Sequence, residues 1–423
     1  MDIILFFNYN FTTIHNKDDT ERSIGYSELN DVQVIGSNHF YPNCLFYLKN
    51  DNKIISPYDE KIMSLGISLG ISLGISLGIS LGISLNKEIN INEYNQQIEI
   101  YNPVFFFIYN FDNYYHFLYD TLPYLYTFLE LKKKIFNLKL LINKLKYRFN
   151  EDLLFKIISV DDIIYHEESN YYKKVYISSS LTHGNFSNNP PRKEINKIYD
   201  ILKNNIEMNN VNKNLINKKR LYISRRTWIN NDTSNIGTNY TTRRKMINED
   251  EFVNNLKKYD IDEIFTENLN IDEKIYIFTN AELIIGSIGG GMANLIFSNY
   301  NVKSIIIVTP YFLDINYRFK YSLEKSNYIY FNDTSTYKEY KKQKYSLYCR
   351  VEILKTKKIG EIDSYNFLNG LYLIKLSNND VAGFSLDKNF EKAYYREEEF
   401  RPLDFGLNSP YIVDIYKFNL NLM

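Results

Sequence analysis

Short apolar runs alternate with polar, Asn- and Lys-rich stretches along most of the chain, the rhythm of buried strands and amphipathic helices. The first run, Ile3 to Phe7, reads as a strand, and QIEIYNPVFFFIYN over 97–110 reads as a buried one. Pro123 opens a helical stretch to about Phe136, with apolar Leu125, Phe128, Leu129 and Phe136. Lys139–Ile142, Ile163–Tyr165 and Val175–Ser178 follow as short strands, so residues 1–202 are expected to form an α/β unit. A polar, Asn-rich linker, 203–219, separates it from a second unit spanning 220–335. There Leu221–Ser224 predicts a strand, and Asn248 with Glu251 three residues on predicts a capped helix start. A helix over Asp272–Ala281, a strand over Leu283–Ile285, a glycine turn, a short helix over Ala293–Phe297 and a strand over Ser304–Val308 complete the pattern. Strand, helix and strand in repetition predict a parallel sheet. Beyond it, short alternating segments such as Tyr348–Leu354 and Tyr372–Leu376 predict a β-rich extension over 336–423.

One stretch breaks the rhythm. Residues 64–85 repeat Ser-Leu-Gly-Ile five times and close on Ser84 and Leu85, a low-complexity insert. As extended chain it alternates, with Ile67, Leu69, Ile71 and Leu73 on one face and Ser68, Gly70 and Ser72 on the other. Its full extension would be roughly 70 Å, so it would have to fold into several short strands or an exposed loop. A second reading stays open. The uncharged stretch from Ile62 to Leu85, flanked by Lys61 and Lys87, has the length and the glycine stripe of a membrane-crossing helix.

Composition narrows the function classes. At 423 residues, with 44% apolar and 24% charged, the chain has the material for two cores and is not a disordered polyelectrolyte. Lys and Arg number 50, as do Asp and Glu, so no global field draws it to nucleic acid, and any polyanion site is local. Two cysteines, Cys44 and Cys349, and five unclustered histidines give no disulfide framework and no structural zinc, so no metal site is predicted. The 39 Tyr and 28 Phe have the look of AT-rich codon bias, which makes the Asn-x-Ser/Thr sequons near chance. The first apolar run is too short for a signal peptide and has an acid, Asp2, where a basic start belongs; a cytoplasmic protein is expected, with membrane association as the alternative.

Three segments carry candidate chemistry. In AELIIGSIGGGMANLIFSN, 281–299, a strand ends in Ser287, Ile288, Gly289, Gly290 and Gly291 and a helix begins, an arrangement that lets backbone approach a diphosphate. It matches neither the dinucleotide fingerprint nor the P-loop, and a tight packing turn would look the same. RLYISRR, 220–226, delivers Arg225 and Arg226 at a strand's carboxyl end, with Arg243 and Arg244 beyond, a local anion site or else a basic turn paired with Glu249 to Glu251. NYYHFLYDTLPYLY, 113–126, places His116 and Asp120 one helical turn apart among aromatics, a base with its orienting acid or else core packing. Asp260 and Asp262 form a D-x-D in YDIDEIF, between a helix and a strand, with no metal role expected.

In order and spacing, NYYHFLYDTLP, LYISRR, RRKMINEDEF and GSIGGGMANLIF resemble the linked motifs of glycosyltransferase family 61 across about 100–320. The resemblance implies two Rossmann-like domains facing a cleft (the GT-B arrangement) and a nucleotide-sugar donor, usually a UDP-sugar, in the C-terminal one. It further implies inverting transfer to a hydroxyl of a glycan or glycoprotein, with no required cofactor and the part of a divalent ion left open. Carried over by position, it makes Arg225, Arg226, Ser287, Gly289, Gly290, Gly291, Asn294 and Glu249 donor-site candidates and His116 and Asp120 catalytic or acceptor-side ones. This chain departs from the family where a His is common in the glycine turn: Ile288 stands there, with Gly290 and Met292 in place of Ala and Leu. Two alternatives therefore stay beside an active transferase: a nucleotide-sugar-binding relic or partner subunit, and a membrane-associated structural protein built around the repeat.

Overall fold

The computed structural model describes residues 3–17, 22–35, 45–56, 98–107, 113–145, 147–182, 191–226, 246–309, 322–323, 326–336, 350–366, 368–376, 391–402 and 411–422. The Ser-Leu-Gly-Ile repeat, the Arg243–Arg244 pair and both cysteines lie outside the described residues. The chain divides into two compact units, Met1–Asn205 with Asn316–Tyr321, and Ile206–Ile315 with Ser322–Met423. Both are mixed α/β with parallel strands.

The strands of the first unit are β1 (Ile3–Leu5), β2 (Phe11–His15), β3 (Ile24–Ile35), β4 (Leu45–Leu48), β5 (Lys53–Ser56), β6 (Ile98–Ile100), β7 (Val104–Phe106), β8 (Lys139–Ile142), β9 (Ile163–Tyr165) and β10 (Asn170–Ser178). They form one sheet in the order β1-β5-β4-β3-β10-β7-β8-β9, with β2 beside β3 and β6 beside β10. From β10 to β9 the pairing is parallel, whereas β2, β3, β4 and β5 pair antiparallel, as do β3 and β10. The buried strand expected over 97–110 is two strands, β6 and β7, divided at Pro103, which has no N–H to give to a ladder.

The helical stretch expected from Pro123 starts earlier. It begins at Tyr114–His116, widens to a π turn over Phe117–Thr121, tightens to a 3-10 turn over Leu122–Tyr124 and runs as α-helix over Leu125–Lys132. Pro123 thus lies inside the helical path, where its missing N–H and its ring disfavour regular α pairing, in keeping with the wide and narrow turns around it. Phe136 lies past the end and is 95% exposed, so it is not part of the apolar side.

In the second unit β11 (Arg220–Ile223), β12 (Asp262–Ile264), β13 (Leu283–Ser287), β14 (Lys303–Ile307) and β15 (Asn327–Phe331) form a wholly parallel sheet in the order β12-β11-β13-β14-β15. After β11 the chain first takes the place on one side and then crosses to the other, so the order reverses between β11 and β13. In open parallel sheets this reversal leaves a crevice outside the carboxyl ends of the two strands.

Helix Glu249–Leu256 covers one face with Phe252, Val253 and Leu256 packed in the core of Tyr222, Ile285, Ile305 and Ile307. Asn248 precedes it without capping it; its side chain instead accepts from Val413 N at 3.0 Å and donates to Val413 O at 2.8 Å. Helix Ile271–Asn280 does have a capping box, made by Asn270 and Glu273, each side chain 2.9 Å from the other's backbone nitrogen.

Two further pieces follow. β16 (Thr334–Thr336) pairs antiparallel with β22 (Tyr411–Val413), and helix Ile415–Leu420 carries Phe418 into the same core, its ring edge-on to Phe252 at 4.7 Å and Phe331 at 5.0 Å. Between them β17 (Arg350–Ile353), β18 (Ile359–Asn366), β19 (Leu371–Leu376), β20 (Glu391–Tyr395) and β21 (Phe400–Pro402) make an antiparallel sheet with its own core, including Ile362, Tyr372, Ile374 and Phe400. Among the described residues no helix is long and apolar enough to cross a membrane.

Candidate active site

In the second unit the site is built at the strand-order reversal. β11 ends in Ser224, Arg225 and Arg226, and β13 runs through Ser287 into Ile288 and the glycines. Ile223 pairs with both Ile264 and Gly286, so the carboxyl ends of β12, β11 and β13 are level with one another. Arg225 lies across the glycine turn: its Nη1 donates to Ile288 O at 3.3 Å, and a Cβ added to Gly289 would stand 1.8 Å from that nitrogen. Only glycine permits this approach. A Cβ on Gly291 would likewise stand 2.9 Å from Ile223 Cγ2 and Thr266 Oγ1, whereas a Cβ on Gly290 would meet nothing within 4 Å. The turn therefore has a closed side against Arg225 and β12 and an open side at Gly290.

Glu249 sets the end of β11. It is 3% exposed, and its Oε1 accepts from Tyr222 Oη at 2.7 Å, Ser224 Oγ at 3.0 Å and Arg225 N at 3.3 Å. Burial pushes its carboxyl above the usual range, opposed by those hydrogen bonds and by the Arg225 charge. Burial acts the other way on Arg225, drawing its guanidinium below the usual value, with Tyr411, Glu249, Glu267 and Tyr222 opposing. A guanidinium so placed remains a cation and suits phosphate oxygens.

The other donor-site candidates divide. Arg226 turns to carboxylates, with Nε and Nη2 each 2.6 Å from Glu263 and Nη1 bonded to Asp250. Its charge is thereby compensated, and its pKa is raised by the Glu263 hydrogen bond first of all. Ser287 is buried with its Oγ bonded to Tyr411 Oη, and Asn294, buried, holds Gly291 O through Nδ2 at 2.9 Å. These two brace the turn from behind, while Arg225, Gly289, Gly290 and Gly291 form its face. Ile288, where the resemblance leads one to look for a His, is 8% exposed. Arg243 and Arg244 fall outside the described residues.

The first unit carries the second constellation. Asn113 accepts from His116 N at 3.3 Å and so fixes the start of the helical segment. Across the beginning of the π turn, His116 Nδ1 lies 2.6 Å from Asp120 Oδ2, with the Asp120 side chain 0% and the His116 side chain 28% exposed. One proton holds this contact, and Nε2 is the ring's other nitrogen. Tyr115 packs edge-on to His116 at 5.3 Å and stacks on Tyr119 at 4.8 Å. A buried carboxylate holding one ring nitrogen so that the other works is the arrangement a general base needs.

Sequence reasoning missed Glu267 and Tyr411. Glu267 follows β12 at the same carboxyl edge, and its signal in the sequence is an acid two residues past YDIDEIF, whose DEI is the strand. Tyr411 is 124 residues from Ser287, which no local pattern reveals. Asp260 is a left-handed residue closing a 3-10 turn, and Asp262 opens β12 and pairs with Lys218 at 2.9 Å. Among the described residues no three His, Cys, Asp or Glu side chains gather as a metal ion would require.

No curated protein matches the chain. The family model described as Glycosyltransferase 61 matches residues 114–306, a span that begins at the helical segment bearing His116 and Asp120 and ends within β14, just past the glycine turn. The matched family is one of glycosyltransferases, enzymes that act on a sugar donor and a glycan acceptor. By that match, and by the motifs it encloses, residues 114–306 are similar to glycosyltransferase family 61.

Proposed function

We propose that the protein transfers a sugar from a nucleoside-diphosphate donor, a UDP-sugar, to a hydroxyl of a glycan or glycoprotein, with inversion at the anomeric carbon. The observation that carries this reading is Arg225 laid over Gly289 at the reversal between β11 and β13. The diphosphate would bind on the open side of the turn at Gly290, with Arg225 beside it. Charge builds on the diphosphate as the glycosidic bond breaks, and a fixed guanidinium with backbone donors stabilises it without reorganising. The acceptor oxygen attacks the opposite face in one step, and His116 Nε2 takes its proton while Asp120 keeps the ring oriented. Donor half and base half belong to different units, and the GT-B arrangement is part of this proposal.

The test is calorimetric titration of the full chain with UDP, GDP, CMP and their sugars, with and without manganese, beside Arg225→Ala. UDP-selective binding lost in the variant supports the donor site; a folded protein binding no nucleotide overturns it. Ile288 favours a second reading, a donor-binding relic, because a buried isoleucine side chain supplies neither a proton nor a hydrogen bond. Nucleotide binding without release of UDP across an acceptor screen would favour the relic.

A further inference from the structure

The carboxyl edge of the parallel sheet holds one acid that no motif accounts for. Glu267 stands just after β12, next to Thr266, whose Oγ1 would lie 2.9 Å from a Cβ on Gly291. The end of β12 therefore touches the glycine turn, as Arg225 does from β11. Glu267 Oε2 takes a long hydrogen bond from Thr266 Oγ1 at 3.4 Å, and Oε1 is enclosed with no hydrogen-bond partner. An acceptor enclosed and unpaired costs the folded chain stability, and such groups need an account. A carboxylate repels a diphosphate, so the complement of this oxygen is an O–H donor. Arg225 and Lys274 are the cations near enough to favour its ionised form, against burial, which raises its pKa.

We propose that Glu267 is a donor-recognition residue of this site, its Oε1 accepting a hydrogen bond from a hydroxyl of the bound nucleotide-sugar. This rests on the donor reading given above. Two parts of such a donor carry hydroxyls, the ribose and the transferred sugar, and both offer the same chemistry. The role differs from that of Arg225: one reads negative charge, the other reads hydroxyls, and together they would separate a nucleotide-sugar from inorganic phosphates.

The experiment is a titration of the full chain, wild type and Glu267→Ala, with pyrophosphate, UDP, 2′-deoxy-UDP, 3′-deoxy-UDP and UDP-glucose. Loss of a hydrogen bond to a charged group predicts about a ten- to hundredfold weaker affinity for the ligand bearing that hydroxyl, with pyrophosphate not weakened. If UDP weakens, and a deoxy analogue is insensitive to the substitution, the hydroxyl is on the ribose. If only UDP-glucose weakens, it is on the sugar. Equal affinities for every ligand, or equal weakening that includes pyrophosphate, overturn the proposal while leaving the donor site standing. A wild-type protein that binds neither pyrophosphate nor UDP through Arg225 overturns both. Glu267→Gln keeps an acceptor oxygen and the shape, so its affinity for UDP should lie between the other two, and circular dichroism of both variants checks the fold.

Discussion

At the scale of single residues, one carboxylate organises the end of β11 and another ionises against its surroundings. Glu249 satisfies two hydroxyls and a backbone N–H with one oxygen. Glu249→Ala strands these buried donors, and urea denaturation should show a loss of about 3–5 kcal/mol. Glu267 behaves differently. Its pKa is raised above 4.5 by burial, so the folded chain binds more protons than the unfolded one from about that pH upward to the folded value. Stability from this group is thus greatest in acid and declines as pH rises through that window. Glu267→Gln removes the decline, and its stability relative to wild type should grow as pH rises above 4.5; a gap independent of pH would contradict the burial of this group. The residue scale is also where the sequence is most legible. Arg225 and the glycines are recognisable from a strand ending in arginine and a strand ending in glycine. Arg226 is not separable from Arg225 in that way, because its commitment to Glu263 and Asp250 depends on where β12 and the Glu249–Leu256 helix come to lie.

At the scale of elements, the glycine turn offers an internal comparison. Gly289→Ala places a methyl group against the end of the flexible Arg225 side chain, which can shift at small cost to folding but leaves its post. Donor affinity should fall by about tenfold or more, with the melting temperature little changed. Gly290→Ala meets nothing within 4 Å, so any affinity it loses reports a ligand lying at that position. Gly291→Ala presses on Ile223 and Thr266, and should cost about 1–3 kcal/mol of stability whatever is bound. Wherever local pattern decides, the elements follow the sequence: β8, β9, β11, β13, β14 and the helix over Ile271–Asn280 lie within a residue or two of the periodicity, whereas β10 begins five residues before the expected strand and β15 has no counterpart in it. They depart from it where a second influence enters. Pro103 divides a run that looks continuous, Pro123 is absorbed into a helical path that began nine residues before it, and Asn248 gives its capping oxygen to Val413. The last is a tertiary partner on a strand far along the chain, invisible to any window around the helix.

At the scale of the whole molecule, two pieces have opposite expectations. Deleting the repeat, 64–85, should leave the protein in solution with its UDP affinity unchanged if the repeat is an insert; loss from a membrane fraction on deletion would make it an anchor instead. Residues 411–422 are a different matter. Tyr411, Val413 and Phe418 are part of the core that contains Tyr222, Ile285 and Ile305, and the Tyr411 hydroxyl holds Ser287 just before the turn. The chain thus leaves the parallel sheet, builds a separate antiparallel one, and comes back to finish the first. Removing one large buried aromatic costs about 3–5 kcal/mol, and a domain's whole stability is about 5–15 kcal/mol. Truncation after Pro410 takes away several such groups at once, along with the ladder between β16 and β22. The shortened protein should lose cooperative unfolding of the second unit and, with it, Arg225-dependent donor binding. Phe418→Ala is the graded version: a melting temperature lowered by several degrees, with donor affinity retained while the unit stays folded. Full nucleotide affinity in the truncated chain would mean that the five parallel strands hold the site unaided, and that the returning segment covers the core without completing it.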